Sequence, residues 1–243
     1  MRLSYSKLKS FEMCPRQFFY STIKKLSYEA NKYMKAGLAV HEMLHKSTFE
    51  NDWEGWIQKN EEYPEYSAMM DNYIEYNKKI VAKSKNKNPL FAEIKIHDEE
   101  YDFALVIDRI DLFDNELLIS DYKTDANGSI TKHDKQLLIY AYFFQRAYPQ
   151  YNVTHMATLY LKKKKLGKIR KIDVEEMKKT IDWLKETKKE IESRDPIEEA
   201  FEAKCSRLCN WCGYMNNGLC KAGMQRINKQ GNISEFTGNE MEF

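Results

Sequence analysis

Asp108, Asp121 and Lys123 are the residues whose types and spacing suggest chemistry. Asp121 closes an apolar stretch, Leu117-Leu118-Ile119-Ser120, and Lys123 lies two residues further on. Side chains at i and i+2 of a strand share a face, so a carboxylate and an ammonium would stand side by side. Asp108 ends the apolar run Phe103 to Ile107, and an antiparallel neighbour would bring it close to Asp121. Two converging carboxylates repel unless one takes a proton or a cation lies between them. Magnesium takes oxygen ligands and fits such a pair. Lys123 would then hold or help deprotonate a water aimed at a phosphodiester, with the metal offsetting charge on its oxygens.

Other residues add to this trio. Gln136 and Tyr140 are four apart on an expected helix, hence on one face, and offer donors to a phosphate or a base edge. His41, within Gly37-Leu38-Ala39-Val40-His41-Glu42, could add an imidazole nitrogen to the metal. Glu93 sits inside the apolar stretch Phe91-Ala92-Glu93-Ile94. Taken singly, each has a plainer reading. The aspartates suit solvated turns, the Gln–Tyr pair a half-buried helix face, His41 a structural histidine, and Glu93 an outward-facing strand residue.

The elements that must position these residues follow from the periodicity. Helices are expected from Ser4 or Ser6 to Phe11, Arg16 to Ile23, Tyr33 to Phe49, Asp52 to Lys59 and Glu65 to Lys83. After the basic break 83–89 the period becomes two. Strands are expected at Phe91 to His97, Tyr101 to Ile107 and Glu116 to Tyr122, with turns near Asp98-Glu99 and Asp114-Asn115. A turn at Asn127-Gly128 leads to a helix from Lys132 to Tyr148. A strand pair, Val153 to Leu161 and Lys168 to Val174, then precedes a last helix from Glu175 to Ser193. Strands flanked by helices give an α/β core.

Composition bounds the function. The 39 Lys+Arg against 37 Asp+Glu leave a net charge of +2, so any nucleic-acid surface must be a local patch. With 12 Phe, 4 Trp and 16 Tyr, a packed core is expected, and 9 Gly with 5 Pro favour long helices over many tight turns. No apolar run approaches the ~20 residues of a membrane span, and Met1-Arg2-Leu3-Ser4-Tyr5 has no signal core, so a soluble, cytoplasmic protein is expected. Five cysteines, with Cys205, Cys209, Cys212 and Cys220 close together and Cys14 apart, argue for metal or cluster ligation over disulfides. The Lys162–Lys165 run with Lys168, Arg170 and Lys171, and Arg16, Lys24 and Lys25 near the Cys14-Pro15 turn, offer a DNA path or merely a solvated surface. No Gly-x-x-x-x-Gly-Lys-Ser/Thr loop is present, so no ATPase is visible.

The ordered motifs resemble the RecB-like branch of the PD-(D/E)xK nuclease superfamily, which includes AddB-type nucleases and CRISPR-adaptation exonucleases. Ser6 through Tyr20 is similar to its opening helix with Cys14-Pro15, and Gly37 to His41 to its Gly-x-x-x-His element. Asp108-Arg109-Ile110-Asp111, Asp121-Tyr122-Lys123 and Gln136 to Tyr140 match its Asp-Arg-Ile-Asp, Asp-Tyr-Lys and Gln-x-x-x-Tyr elements. Leu105 stands where the family usually has Gly, and residues 52–83 match nothing assignable.

The resemblance implies a restriction-endonuclease-like core, a mixed sheet flanked by helices, with an N-terminal helical region and a Cys-rich C-terminal segment. A nuclease domain over 1–200, with a helical insertion at about 50–88, would precede a cluster-binding segment and polar tail over 201–243. His41, Asp108, Asp121 and the carbonyl of Tyr122 would hold Mg²⁺ or Mn²⁺, Lys123 would be the catalytic lysine, and Gln136 and Tyr140 would support DNA binding. Cys14, Cys209, Cys212 and Cys220 would hold a [4Fe–4S] cluster. The gap from Cys212 to Cys220 is longer than usual and Cys205 is spare, so a zinc site on Cys205, Cys209, Cys212 and Cys220 competes. The implied activity is a metal-dependent DNA exonuclease acting on single-stranded ends in recombination, repair, phage DNA processing or CRISPR adaptation. The alternative is a catalytically silent iron–sulfur DNA-binding subunit, with a helicase or an adaptation complex as partner.

Overall fold

Alternating apolar residues from Phe91 onward build a meander, and the apolar helices on either side of it bury both its faces. The computed structural model describes residues 1–28, 32–50, 65–84, 88–113, 116–124, 134–163 and 169–229. The chain forms two compact units, one from Met1–Arg2 and Asn31–Asp182, the other from Leu3–Ala30 and Trp183–Phe243.

The first unit carries a mixed sheet of β1 (Phe91–Asp98), β2 (Phe103–Phe113), β3 (Glu116–Lys123), β4 (Val153–Tyr160) and β5 (Arg170–Lys171), in that order. The β1–β2, β2–β3 and β4–β5 pairs are antiparallel, and β3–β4 is parallel. The parallel pair needs a crossover, which contains the helix Asp134–Ala147. Helices Lys32–Glu50 and Glu65–Val81 bury Val40, Met43, Leu44, Met69, Met70, Tyr73 and Tyr76 in one core with Leu118, Tyr122, Ala157 and Leu159. The crossover helix buries Leu137, Leu138, Phe143 and Phe144, with Phe143 stacked on Phe103 at 4.9 Å between ring centroids.

The second unit joins segments from both ends of the sequence. Helix Tyr5–Met13, the turn Pro15–Phe18 and a π-turn Phe19–Ile23 present Phe11, Phe18 and Phe19 to Phe201, with ring centroids 6.3, 6.0 and 5.4 Å away. The helix Val174–Glu192 divides between the units at Asp182. In its second half Leu184 and Ile191 are buried, and Trp183 Nε1 donates to Glu12 Oε1 at 2.8 Å. The cysteine segment follows as a 3₁₀ turn Arg207–Trp211 and helices Gly213–Asn216 and Lys221–Lys229.

Most expected elements occur, with three differences. The second strand continues to Phe113, so Asp108 lies inside it and does not end it. Apolar alternation fails there because Asp108, Arg109 and Asp111 are all buried, and they are buried in compensated pairs. The strand expected over Lys168 to Val174 is reduced to Arg170–Lys171. The helix expected over Arg16 to Ile23 starts at Pro15 and loosens into a π-turn from Phe19. The helix expected at 52–59, the turns at 114–115 and 127–128, Lys164, Lys165, Lys168 and the tail from 230 lie outside the described residues.

Candidate active site

The register of β2 on β3 sets the two aspartates. Arg109 pairs with Ser120, so one step further Asp108 stands across from Asp121. The backbone N–H of Tyr122 donates to Asp108 Oδ2 at 2.6 Å, which fixes that carboxylate against β3. Asp121 and Lys123 share the opposite face from Tyr122, and Asp121 Oδ2 is 2.7 Å from Lys123 Nζ. From the crossover helix, Gln136 Nε2 donates to Asp121 Oδ1 at 2.9 Å and to Tyr140 Oη at 2.7 Å. Gln136 Oε1 in turn accepts from Lys123 Nζ at 3.1 Å. The Gln-x-x-x-Tyr spacing therefore acts through Asp121 and Lys123, holding both at fixed positions. This group was legible in the sequence.

His41 enters from the helix Lys32–Glu50. Its Nδ1 lies 3.4 Å from Asp108 Oδ1 and 3.9 Å from Glu93 Oε1. Ligand atoms of His41, Glu93 and Asp108 lie within 4.8 Å of one another, the one such His/Cys/Asp/Glu group among the described residues. Asp121 stands beside them, its Oδ1 accepting from Gln136 and its buried Oδ2, without a hydrogen-bond partner among the described residues, at ion-pair distance from Lys123.

Glu93 is the residue that the strand pattern alone misplaces. Its plainer reading faces it outward, yet Glu93 Oε1 is buried without a hydrogen-bond partner among the described residues. The cause is backbone geometry. Pairing runs Ala92 with Arg109 and Ile94 with Ile107, and between them Glu93 has φ +50°, where a non-glycine residue is strained. An acidic residue inside an apolar strand was the only signal in the sequence. An orphaned carboxylate oxygen among an imidazole and a second carboxylate is a donor set that fits Mg²⁺ or Mn²⁺.

The electrostatics point the same way. Burial, then the charge on Asp108, pushes the Glu93 carboxyl up to about 7. Burial likewise raises Asp121 above the usual carboxylate range, opposed by Lys123. For His41, burial disfavours the imidazolium, but Asp108, Asp121 and Glu93 outweigh it and raise the pKa.

A stability measurement follows for the metal-free chain. Folded Glu93 keeps its proton up to about pH 7, whereas an ordinary glutamate loses it near 4.5. The folded state binds more protons across that window, so Glu93 makes stability fall as pH rises through it. Melting temperatures from pH 5 to 8 should fall less steeply for Glu93→Gln than for wild type. Added Mn²⁺ should stabilise the wild type more at pH 7.5 than at 5.5, since its ligands must be unprotonated. Parallel pH profiles for the two proteins would place Glu93 outside the donor group.

All five cysteines fall in the second unit and line one small open cavity, with Arg16, Tyr20, Lys204 and Tyr214. Cys209 Sγ accepts the backbone N–H of Ser206 at 3.4 Å. Among the described residues, no group of three that includes the cysteines has its ligand atoms within 4.8 Å of one another. The basic residues near this turn are partly engaged. Arg16 donates to the Phe201 carbonyl at 2.7 Å and pairs with Glu198. In the first unit Arg170 pairs with Asp134, while Lys162 and Lys163 are exposed.

Among the described residues, no helix is long and apolar enough to cross a membrane. No curated protein matches the sequence. The fold resembles the crystal structure of a "Putative exonuclease" from Eubacterium rectale, with a TM-score of 0.54 at 10% identity, covering 95% of this chain and 93% of that one. The sequence itself matches a family description over residues 2–217, a span that includes β2, β3 and the crossover helix. The chain belongs to the PD-(D/E)XK nuclease superfamily.

Proposed function

We propose that this chain is a divalent-metal-dependent deoxyribonuclease that removes nucleotides from DNA ends, single-stranded ends in particular. One observation carries the reading: the Asp121–Lys123 pair, at 2.7 Å, stands beside the His41–Glu93–Asp108 donor group. His41, Asp108 and Asp121, with the Tyr122 carbonyl and Glu93, are the residues to hold Mg²⁺ or Mn²⁺. A bound ion there stabilises charge on the phosphate oxygens as a Lewis acid. Lys123 holds the attacking water, and Gln136 keeps both Lys123 and Asp121 oriented. Burial of Asp121 strengthens its field on Lys123 by excluding water.

The test is digestion of end-labelled single- and double-stranded DNA with Mg²⁺, Mn²⁺ or EDTA, beside a circular substrate. Cleavage should need the metal, favour single strands and spare the circle. Equal cleavage of circles would remove the exonuclease part; no metal-dependent cleavage would remove the whole.

His41 gives a second measurement. Its nitrogen is a softer ligand than a carboxylate, so Mn²⁺ should serve at least as well as Mg²⁺. His41→Ala should raise the half-saturating Mn²⁺ concentration about tenfold and leave DNA affinity in EDTA unchanged. An unchanged metal requirement returns His41 to a structural role.

For the cysteines, the reading is a [4Fe–4S] cluster held by Cys14, Cys209, Cys212 and Cys220. Two observations support it over zinc. Tetrahedral zinc with ~2.3 Å bonds needs sulfurs ~3.8 Å apart, and among the described residues no group of three that includes the cysteines comes within even 4.8 Å. Cys14, far away in sequence, lines the same cavity. The cluster's role is to tie the two ends of the second unit together.

A further inference from the structure

We propose that Thr158 is a positioning residue for Asp121, its hydroxyl donating to Asp121 Oδ2 and fixing the plane of that carboxylate. The inference rests on the place given to Asp121 in the site and adds a residue of β4 to it. In the parallel β3–β4 pair Asp121 is the register partner of Thr158, between the pairs Ser120–Ala157 and Tyr122–Leu159. Ala157 and Leu159 belong to the core shared with the helices Lys32–Glu50 and Glu65–Val81. Alternation therefore turns Thr158 to the other face, the one that carries Asp121. Neighbouring strands run ~4.8 Å apart, so partners on one face stand within reach of a hydroxyl–carboxylate hydrogen bond.

Both residues are buried, and each has an unused oxygen. Thr158 Oγ1 and Asp121 Oδ2 have no hydrogen-bond partner among the described residues. A buried hydroxyl left so costs stability, and a valine would supply nearly the same β-branched shape without that cost. Asp121 Oδ1 already accepts from Gln136. Lys123 meets Oδ2 as a compact charge on a flexible stem, which attracts the carboxylate without setting its direction. A hydroxyl on the adjacent strand supplies that direction. The bond forms by rotation about the Thr158 Cα–Cβ bond, whose staggered positions swing Oγ1 across the gap between the strands.

The experiment is a double-mutant cycle on the metal-free full chain, read by urea unfolding, beside Mn²⁺ titration calorimetry and cleavage rates. With Asp121 present, Thr158→Val should lower the folding constant about tenfold, since it removes a donor to a buried carboxylate. In the Asp121→Ala background the same change should leave that constant unchanged or raise it. Equal effects in the two backgrounds overturn the proposal. Thr158→Val should also weaken Mn²⁺ binding and lower kcat, each about tenfold, with KM for DNA unchanged. Thr158→Ser, which keeps the hydroxyl, should recover most of both. Serine and valine acting alike would return Thr158 to a packing role and overturn the proposal as well. A wild type that binds no Mn²⁺ removes the metal reading of the site, while the cycle, which uses neither ion nor DNA, still decides the hydrogen bond. Should Asp121→Ala fail to fold, the contrast between serine and valine at position 158 decides it.

Discussion

Asp121→Asn and Lys123→Ala proteins should cleave end-labelled DNA about 10³-fold more slowly than wild type at saturating Mn²⁺, with their folds intact. The two side chains form one unit, since Asp121 Oδ2 and Lys123 Nζ are 2.7 Å apart and Gln136 bonds to both. Removing either member leaves the other without its orienting charge at the reacting phosphate. Their effects should therefore not add, and the double variant should be little slower than either single one. Stability should move the other way. Asp121 is 2% exposed, and burial together with the Asp108 charge already disfavours its ionised form. A neutral asparagine removes that repulsion, so the metal-free Asp121→Asn protein should melt at or above the wild-type temperature. Gln136→Ala isolates orientation from charge and should cost about 10-fold, mainly in kcat. The deciding measurement pairs cleavage rates with thermal melts. Wild-type rates from Asp121→Asn would displace the site altogether.

The sequence exposed the parts of this arrangement that obey local rules. Alternation located β1, β3 and β4, and the i, i+2 spacing put Asp121 and Lys123 on one face because a strand leaves them no other choice. The i, i+4 spacing of Gln136 and Tyr140 likewise fixed their common side of a helix, and their hydrogen bond at 2.7 Å reflects it. What stayed hidden depends on backbone angles and on pairing between distant segments. Glu93 turns inward through a positive φ that no neighbouring glycine advertised. Cys14 and Cys205 reach a common cavity only because the chain's two ends fold together in the second unit. The extent of β2 was hidden for a third reason. Charged residues normally interrupt a buried strand, and alternation cannot reveal that Arg109 and Asp111 neutralise each other inside it.

That pair gives the largest expected effect on stability. Arg109 is 0% and Asp111 1% exposed, and Arg109 Nε and Nη2 donate to the two Asp111 oxygens at 2.8 Å each. Burial disfavours the guanidinium charge, but Tyr122, Asp111 and Tyr73 outweigh it and keep Arg109 protonated. Asp111→Ala would leave that charge uncompensated in the core and should cost about 3–5 kcal/mol. Replacing both partners by apolar residues, Arg109→Met with Asp111→Leu, should recover most of the loss, because the desolvation cost disappears with the pair. The network also touches the site. Arg109 Nη1 donates to Tyr73 Oη at 2.8 Å, Tyr73 Oη is 2.7 Å from Thr48 Oγ1, and Tyr122 Oη donates to Tyr73 Oη at 3.5 Å. The helix Glu65–Val81, unassigned by sequence, thus braces the face of β3 opposite Asp121 and Lys123 through Tyr73. The double variant should accordingly regain stability and still cleave several-fold more slowly, since it loses the anchor of Tyr73 behind Tyr122. Urea unfolding of the two variants, read beside their cleavage rates, separates these effects. Equal destabilisation by the single and double changes would mean that shape, not charge compensation, is what the pair contributes.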